Sequence, residues 1–179
     1  VLANRWNAFM VLTQIQKNKS QVDIEKAIKS PDWFMRDAAL QAAASIMPER
    51  AAIWSHQLLS DKAMVVRTTA VKNLKDLKTY SSVDNLWSKL YASENFRGTK
   101  SLWIRRNIME ALHELSSKGD EEKLIKVLDD SDETLHPIAV KTLERISGTK
   151  LGATDLVLRA RMALWKSWWS SKNQVRAQR

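Results

Sequence analysis

The chain repeats one helical skeleton five times, and that periodicity narrows the folds open to it. The clearest copy is Ser60-Asp61-Lys62-Ala63-Met64-Val65-Val66-Arg67-Thr68-Thr69-Ala70-Val71-Lys72-Asn73-Leu74, a turn followed by an amphipathic helix with Arg near its start. Taking that Arg as anchor, the copies sit at Arg5, Arg36, Arg67, Arg105 and His136, at intervals of 31, 31, 38 and 31 residues. A constant period of this length marks units that cannot bury their apolar faces alone and stack to do so.

The copies agree column by column. One residue before the anchor stand Asn4, Met35, Val66, Ile104 and Leu135; three after it, Ala8, Ala39, Ala70, Ile108 and Ala139. Four after it come Phe9, Leu40, Val71, Met109 and Val140; seven after, Leu12, Ala43, Leu74, Leu112 and Leu143; ten after, Ile15, Ile46, Leu77, Leu115 and Ile146. These offsets trace one face of an α-helix, and the small residue in the second column lets a neighbouring helix approach.

The expected fold class is all-α: stacked antiparallel helix pairs forming an α-solenoid with a right-handed superhelix. Anchored helices are expected near 3–17, 33–46, 63–77, 101–116 and 134–147, with shorter partner helices at about 21–29, 49–59, 82–91 and 120–129. A cap over 148–171 and a basic tail over 172–179 complete a single repeat domain over 1–179. Four Gly, three Pro and no β-branched alternation leave little material for strands. Ser30-Pro31-Asp32 reads as a cap with Pro at the first helical position, Ser81 and Asp84 as a loose capping box, and Lys118-Gly119-Asp120 as a stop followed by a new cap. The first anchored helix lacks a preceding partner. The chain is thus expected to open in mid-repeat, as a piece of a longer chain in which an upstream repeat or another domain covers Ala8, Val11 and Leu12.

With these residues in view, the helix pairs resemble HEAT repeats, specifically the short HEAT-like repeats of the phycobilisome-lyase type. The matching core is Asp61, Val66, Arg67, Ala70 and Leu74; Asp132, Leu135, Ala139 and Leu143 follow it with His136 in place of Arg, and Ile104, Arg105, Ala111 and Leu112 follow it in part. The resemblance implies ion pairs between neighbouring repeats, made by Arg36, Arg67 and Arg105 with Asp32 and Asp61. The family's name suggests a lyase activity, but no catalytic residue for one stands out, and no cofactor is expected.

The chemistry-bearing residues give no enzyme signature. His56, His113 and His136 lack paired ligand spacing, there is no Cys, and neither a phosphate loop nor a nucleophile elbow is present. No apolar run reaches the ~18 residues needed to span a bilayer. The net charge of +9 is concentrated at the end: residues 141–179 carry nine cations against Glu144 and Asp155, just after an acidic patch of Asp120, Glu121, Glu122, Asp129, Asp130, Asp132 and Glu133. The outward columns of the anchored helices mix signs (Met10, Gln41, Lys72, Glu110, Lys141 at five after the anchor), whereas a phosphate backbone rewards a continuous positive stripe. Most of the eight Trp read as wedges between helices. Leu158, Met162, Trp165 and Trp169 form a stripe that either closes the end of the stack or, with the nearby cations, makes an aromatic and basic ligand surface.

The longer interval before Arg105 adds seven residues around 91–100. Insertions in a stacked-repeat protein project from one edge and often carry contacts. Tyr91, Phe96, Arg97, Lys100, Trp103 and Arg106 are the candidate partner-binding residues; the alternative is a longer helix and a plain loop. The expected function is non-catalytic protein binding, as a scaffold or adaptor. Nucleic-acid binding is the alternative, with a DNA-glycosylase-like activity a distant third.

Overall fold

The computed structural model describes residues 2–153 and 155–177, with side chains described as far as residue 174. The last residues of the basic tail, Gln178 and Arg179, lie outside the described residues. The order is α1 (Leu2–Gln16), α2 (Gln21–Ala27), α3 (Trp33–Ile46), α4 (Pro48–Leu58), α5 (Met64–Asp76), α6 (Val83–Leu90), β1 (Phe96–Arg97), β2 (Lys100–Ser101), α7 (Ile104–Leu115), α8 (Glu121–Val127), α9 (His136–Ser147) and α10 (Leu158–Ala177). The chain is therefore mostly helical, as its column pattern dictates. Single 3-10 turns lead into α2, α6, α8 and α9. The contacts group into two compact units, Val1–Ala111 and Leu112–Arg179, with the boundary inside α7.

In the first unit α3 is central, packed on α1, α2, α4 and α5, while α4 also packs on α5. The anchor columns supply its interior: Ala39, Leu40 and Ala43 of α3 and Val66, Ala70, Val71 and Leu74 of α5 are buried. Ala38 and Ala42 are buried as well, so α3 presents small residues to several neighbours at once. Truncating Leu40 or Leu74 to Ala in such an interior costs about 2–5 kcal/mol. In α1 three of the same columns are open: Ala8, Leu12 and Ile15 are exposed, Ile15 to 73%, as is the neighbouring Val11.

Local signals set the helix starts, with one shift. Asp32, not Ser30, is the N-cap of α3, and the Ser30 hydroxyl accepts from the Asp32 N–H at 3.2 Å. Pro48 opens α4 at its first turn, where a missing N–H is harmless. Ser117 and Asp120 form a reciprocal capping box ahead of α8. The insertion is neither a longer helix nor a plain loop. The helix α6 stops at Leu90 and the chain makes a small antiparallel hairpin, Phe96 opposite Ser101 and Arg97 opposite Lys100, turning at Gly98 with φ +62.

In the second unit α8 packs on α9 and α10 packs on both. Trp165 is fully buried and meets Trp168 edge-to-face at 5.1 Å. Gly148 ends α9 in the left-handed conformation, its N–H bonded to the Glu144 carbonyl.

Candidate functional site

The anchor arginines tie successive turns together. Arg5 reaches Asp32 at 3.2 Å, and Arg36 grips Asp61 with two parallel bonds, Nε to Oδ2 at 2.7 Å and Nη2 to Oδ1 at 2.8 Å. Arg67 finds an amide instead: its Nε donates to Asn95 Oδ1 at 3.1 Å and its Nη2 to the Glu94 carbonyl at 2.8 Å. A second task recurs inside three of the copies. Arg36 Nη1 donates to the Ser30 carbonyl and Arg67 Nη1 to the Asp61 carbonyl, each six residues back, and His136 Nε2 meets the Asp130 carbonyl at the same separation. The anchor thus closes its own turn while reaching for the next. An imidazole can do the first job but is too short for the second.

Arg105 is built into the insertion. It is 1% exposed; its Nε donates to the Leu90 carbonyl at 2.8 Å and its Nη1 to Ser101 Oγ at 3.1 Å. Its guanidinium lies 4.5 Å from the centre of the Phe96 ring and 5.4 Å from that of Tyr91. Asn95, also buried, donates from Nδ2 to the Lys89 carbonyl at 2.8 Å. Two buried arginines therefore clamp the hairpin, Arg67 at its entry and Arg105 beneath it.

The candidate residues separate by role on this frame. Phe96 is half-buried over Arg105 and belongs to the clamp. Arg97 and Lys100 are exposed at the tip. Tyr91 (51% exposed) and Trp103 (54% exposed) stand where the chain enters and leaves the insertion. Arg106 is exposed and bonded to Glu110 at 3.2 Å.

The sequence reading missed Asp37. It is 4% exposed at the junction of α1, α3 and α5, and three neutral donors converge on it: Trp6 Nε1 (3.2 Å), Gln41 Nε2 (2.9 Å) and Thr69 Oγ1 (2.6 Å). The available signal was an acid in an Ala-rich helix, one position after the anchor. The Asp37 donors Gln41 and Thr69 also line a groove of about 720 Å³, together with Met10, Thr13, Gln14, Ser45 and Lys72. Its lining mixes polar and apolar surface and carries charge only at Lys17 and Lys72.

Three cations of α10 are engaged within the second unit. Arg161 pairs with Glu144, Lys166 with Asp129, and Lys172 with Glu121 while lying 4.6 Å from the Trp168 ring centre. The acidic patch so neutralises part of the basic end, and α10 packs on α8 and α9. His113 Nδ1 meets Thr142 Oγ1 at 3.0 Å; the Thr hydroxyl is spent on the Ile138 carbonyl, so the imidazole donates. Burial, together with Arg145 and Lys141, holds the His113 pKa below its ordinary value against the pull of Glu114.

Among the described residues no group of three or more His, Cys, Asp and Glu could hold a metal ion, and no helix is long and apolar enough to cross a membrane. A scan against protein-family models and a search of curated proteins found no match to this chain.

Proposed function

We propose that the chain is a non-catalytic protein-binding module, a right-handed α-solenoid of short HEAT-like repeats serving as scaffold or adaptor. The recurring anchor-to-turn bonds, spanning 27, 25 and 28 residues from Arg5, Arg36 and Arg67, support the stacked architecture. The observation that carries the binding role is the hairpin. It is held down by two buried arginines and yet displays exposed Arg97, Lys100, Tyr91 and Trp103. Tyr, Trp and Arg are the residue types enriched at protein interfaces, and a clamped loop has already lost the freedom that binding would otherwise remove.

A photoreactive residue placed at Thr99 tests this in cells, with one at Gln57 on α4 as control; both positions are exposed. A single discrete adduct from Thr99, absent from Gln57, is the expected result. Equal or absent adducts from both sites overturn the proposal. Nucleic-acid binding is less favoured, because three cations of α10, Arg161, Lys166 and Lys172, are spent on internal carboxylates.

A further inference from the structure

We infer that the hairpin tip receives an acidic segment of its protein partner, an inference that rests on the protein-binding reading. Residues 89–106 hold five cations, Lys89, Arg97, Lys100, Arg105 and Arg106, against the single carboxylate of Glu94. That carboxylate is engaged by Lys89 at 2.9 Å, and Arg106 is engaged by Glu110. Arg105 is buried beneath the hairpin. The charge left to solvent is that of Arg97 and Lys100.

These two are direct cross-strand partners. Residues opposite each other in an antiparallel pair project from the same face, and like charges placed so repel. The turn at Gly98 and the clamp beneath fix that pairing, so only rotation of the two exposed side chains can lessen the repulsion. A carboxylate seated between the two side chains removes it, and Tyr91 and Trp103 offer apolar surface to the stems of neighbouring residues. The partner segment is short. Elsewhere in this unit Arg5, Arg36, Arg50 and Lys72 are paired with Asp32, Asp61, Glu25 and Asp76, and within residues 89–106 the unpaired charge is confined to the tip. A nucleic-acid backbone, with charge at every step, calls for the opposite arrangement.

Fluorescence anisotropy with the full chain tests the inference, using three labelled probes: a Glu-rich peptide of about ten residues, its Gln counterpart, and a short DNA duplex. The Glu peptide should bind at least about tenfold tighter than the Gln peptide, a gap of about 1.4 kcal/mol, and should weaken as salt rises and screens the charges. The variant carrying Arg97→Glu and Lys100→Glu should lose that preference while its thermal unfolding stays in place, since both side chains are exposed. Equal binding of the two peptides, or a charge-reversed variant that still prefers Glu, overturns the inference. So does tighter binding of the duplex that depends on Arg97 and Lys100, which assigns the tip to nucleic acid. The cross-linking experiment separates the two proposals: an adduct at Thr99 without a Glu preference removes the acidic partner and keeps the binding surface, whereas failure of both removes the surface.

Discussion

The Thr69 hydroxyl donates to the Asp37 carboxylate across the α3–α5 boundary at 2.6 Å, and Trp6 of α1 donates to the same carboxylate from the other side. One acid in the middle helix thus bonds both neighbours. A buried carboxylate is tolerated only when its lone pairs are filled, and here neutral donors fill them.

Asp37→Ala strands three donors at once and should cost about 3 kcal/mol, from roughly 1–3 kcal/mol per buried unsatisfied group with partial relaxation. Thr69→Val removes one bond and should cost about 1–2 kcal/mol. Urea midpoints compared at constant slope measure both. An Asp37→Ala midpoint equal to that of Thr69→Val shows that the carboxylate does not hold the three helices jointly.

Lys78 follows α5 with φ +52, and the bonds Thr79 N–H to Leu74 carbonyl and Lys78 N–H to Lys75 carbonyl make a Schellman ending. That conformation favours Gly, which α9 has in Gly148 at φ +70. Lys78→Gly should therefore raise stability by about 1 kcal/mol, the strain of a side chain in this region offset in part by the entropy of Gly. A thermal midpoint that falls on substitution refutes this.

The helices were legible because their information is local and periodic. Columns filled by Leu40, Val71 and Leu143 announce both the helix and its buried face. The columns do not say what lies on that face, which is why Leu12 and Ile15 fit the pattern and are exposed. The site was legible as a location, since seven added residues break the period, but not as a shape. With one Gly and no β-branched run, nothing in the insertion itself encodes a hairpin; Arg67, 28 residues before Asn95, and Arg105, just after the second strand, hold it. Asp37 was invisible for a related reason, its partners lying 31 and 32 residues away on other helices.

The Arg36–Asp61 pair should make the first unit acid-sensitive. Burial on its own raises the Asp61 pKa, but the bonds from Arg36 and the Ala63 N–H, with the nearby Arg36 and Arg67 charges, outweigh it and leave the carboxyl below its usual range. A depressed carboxyl pKa contributes stability that is fully present above the unfolded value of about 4 and is lost as pH falls through the folded value. Unfolding midpoints should accordingly drop below about pH 4, and Asp61→Asn should flatten part of that drop. Arg36→Met leaves the carboxylate buried without its cation and should cost about 3–5 kcal/mol at neutral pH. A pH profile identical in Asp61→Asn and the parent excludes the pair as the source.

Asn95 stands where Arg36 finds an aspartate, and the amide explains the exchange. Its Oδ1 accepts from Arg67, as a carboxylate could, but its Nδ2 donates to the Lys89 carbonyl, which a carboxylate cannot do. Asn95→Asp therefore gains a charge opposite Arg67 and places an oxygen against a buried carbonyl. The lost bond and the repulsion outweigh the gain, because Arg67 is already held by three carbonyls and needs no anion to stay in place. The substitution should destabilise by about 1–2 kcal/mol at neutral pH. Protonating the new carboxyl restores a donor toward Lys89, so the deficit should narrow on acidification, opposite to the trend for Asp61. Chemical unfolding at pH 7 and near pH 3 decides it: an Asn95→Asp variant as stable as the parent at pH 7, or a deficit that widens in acid, shows that the donor side of the amide contributes nothing to the clamp.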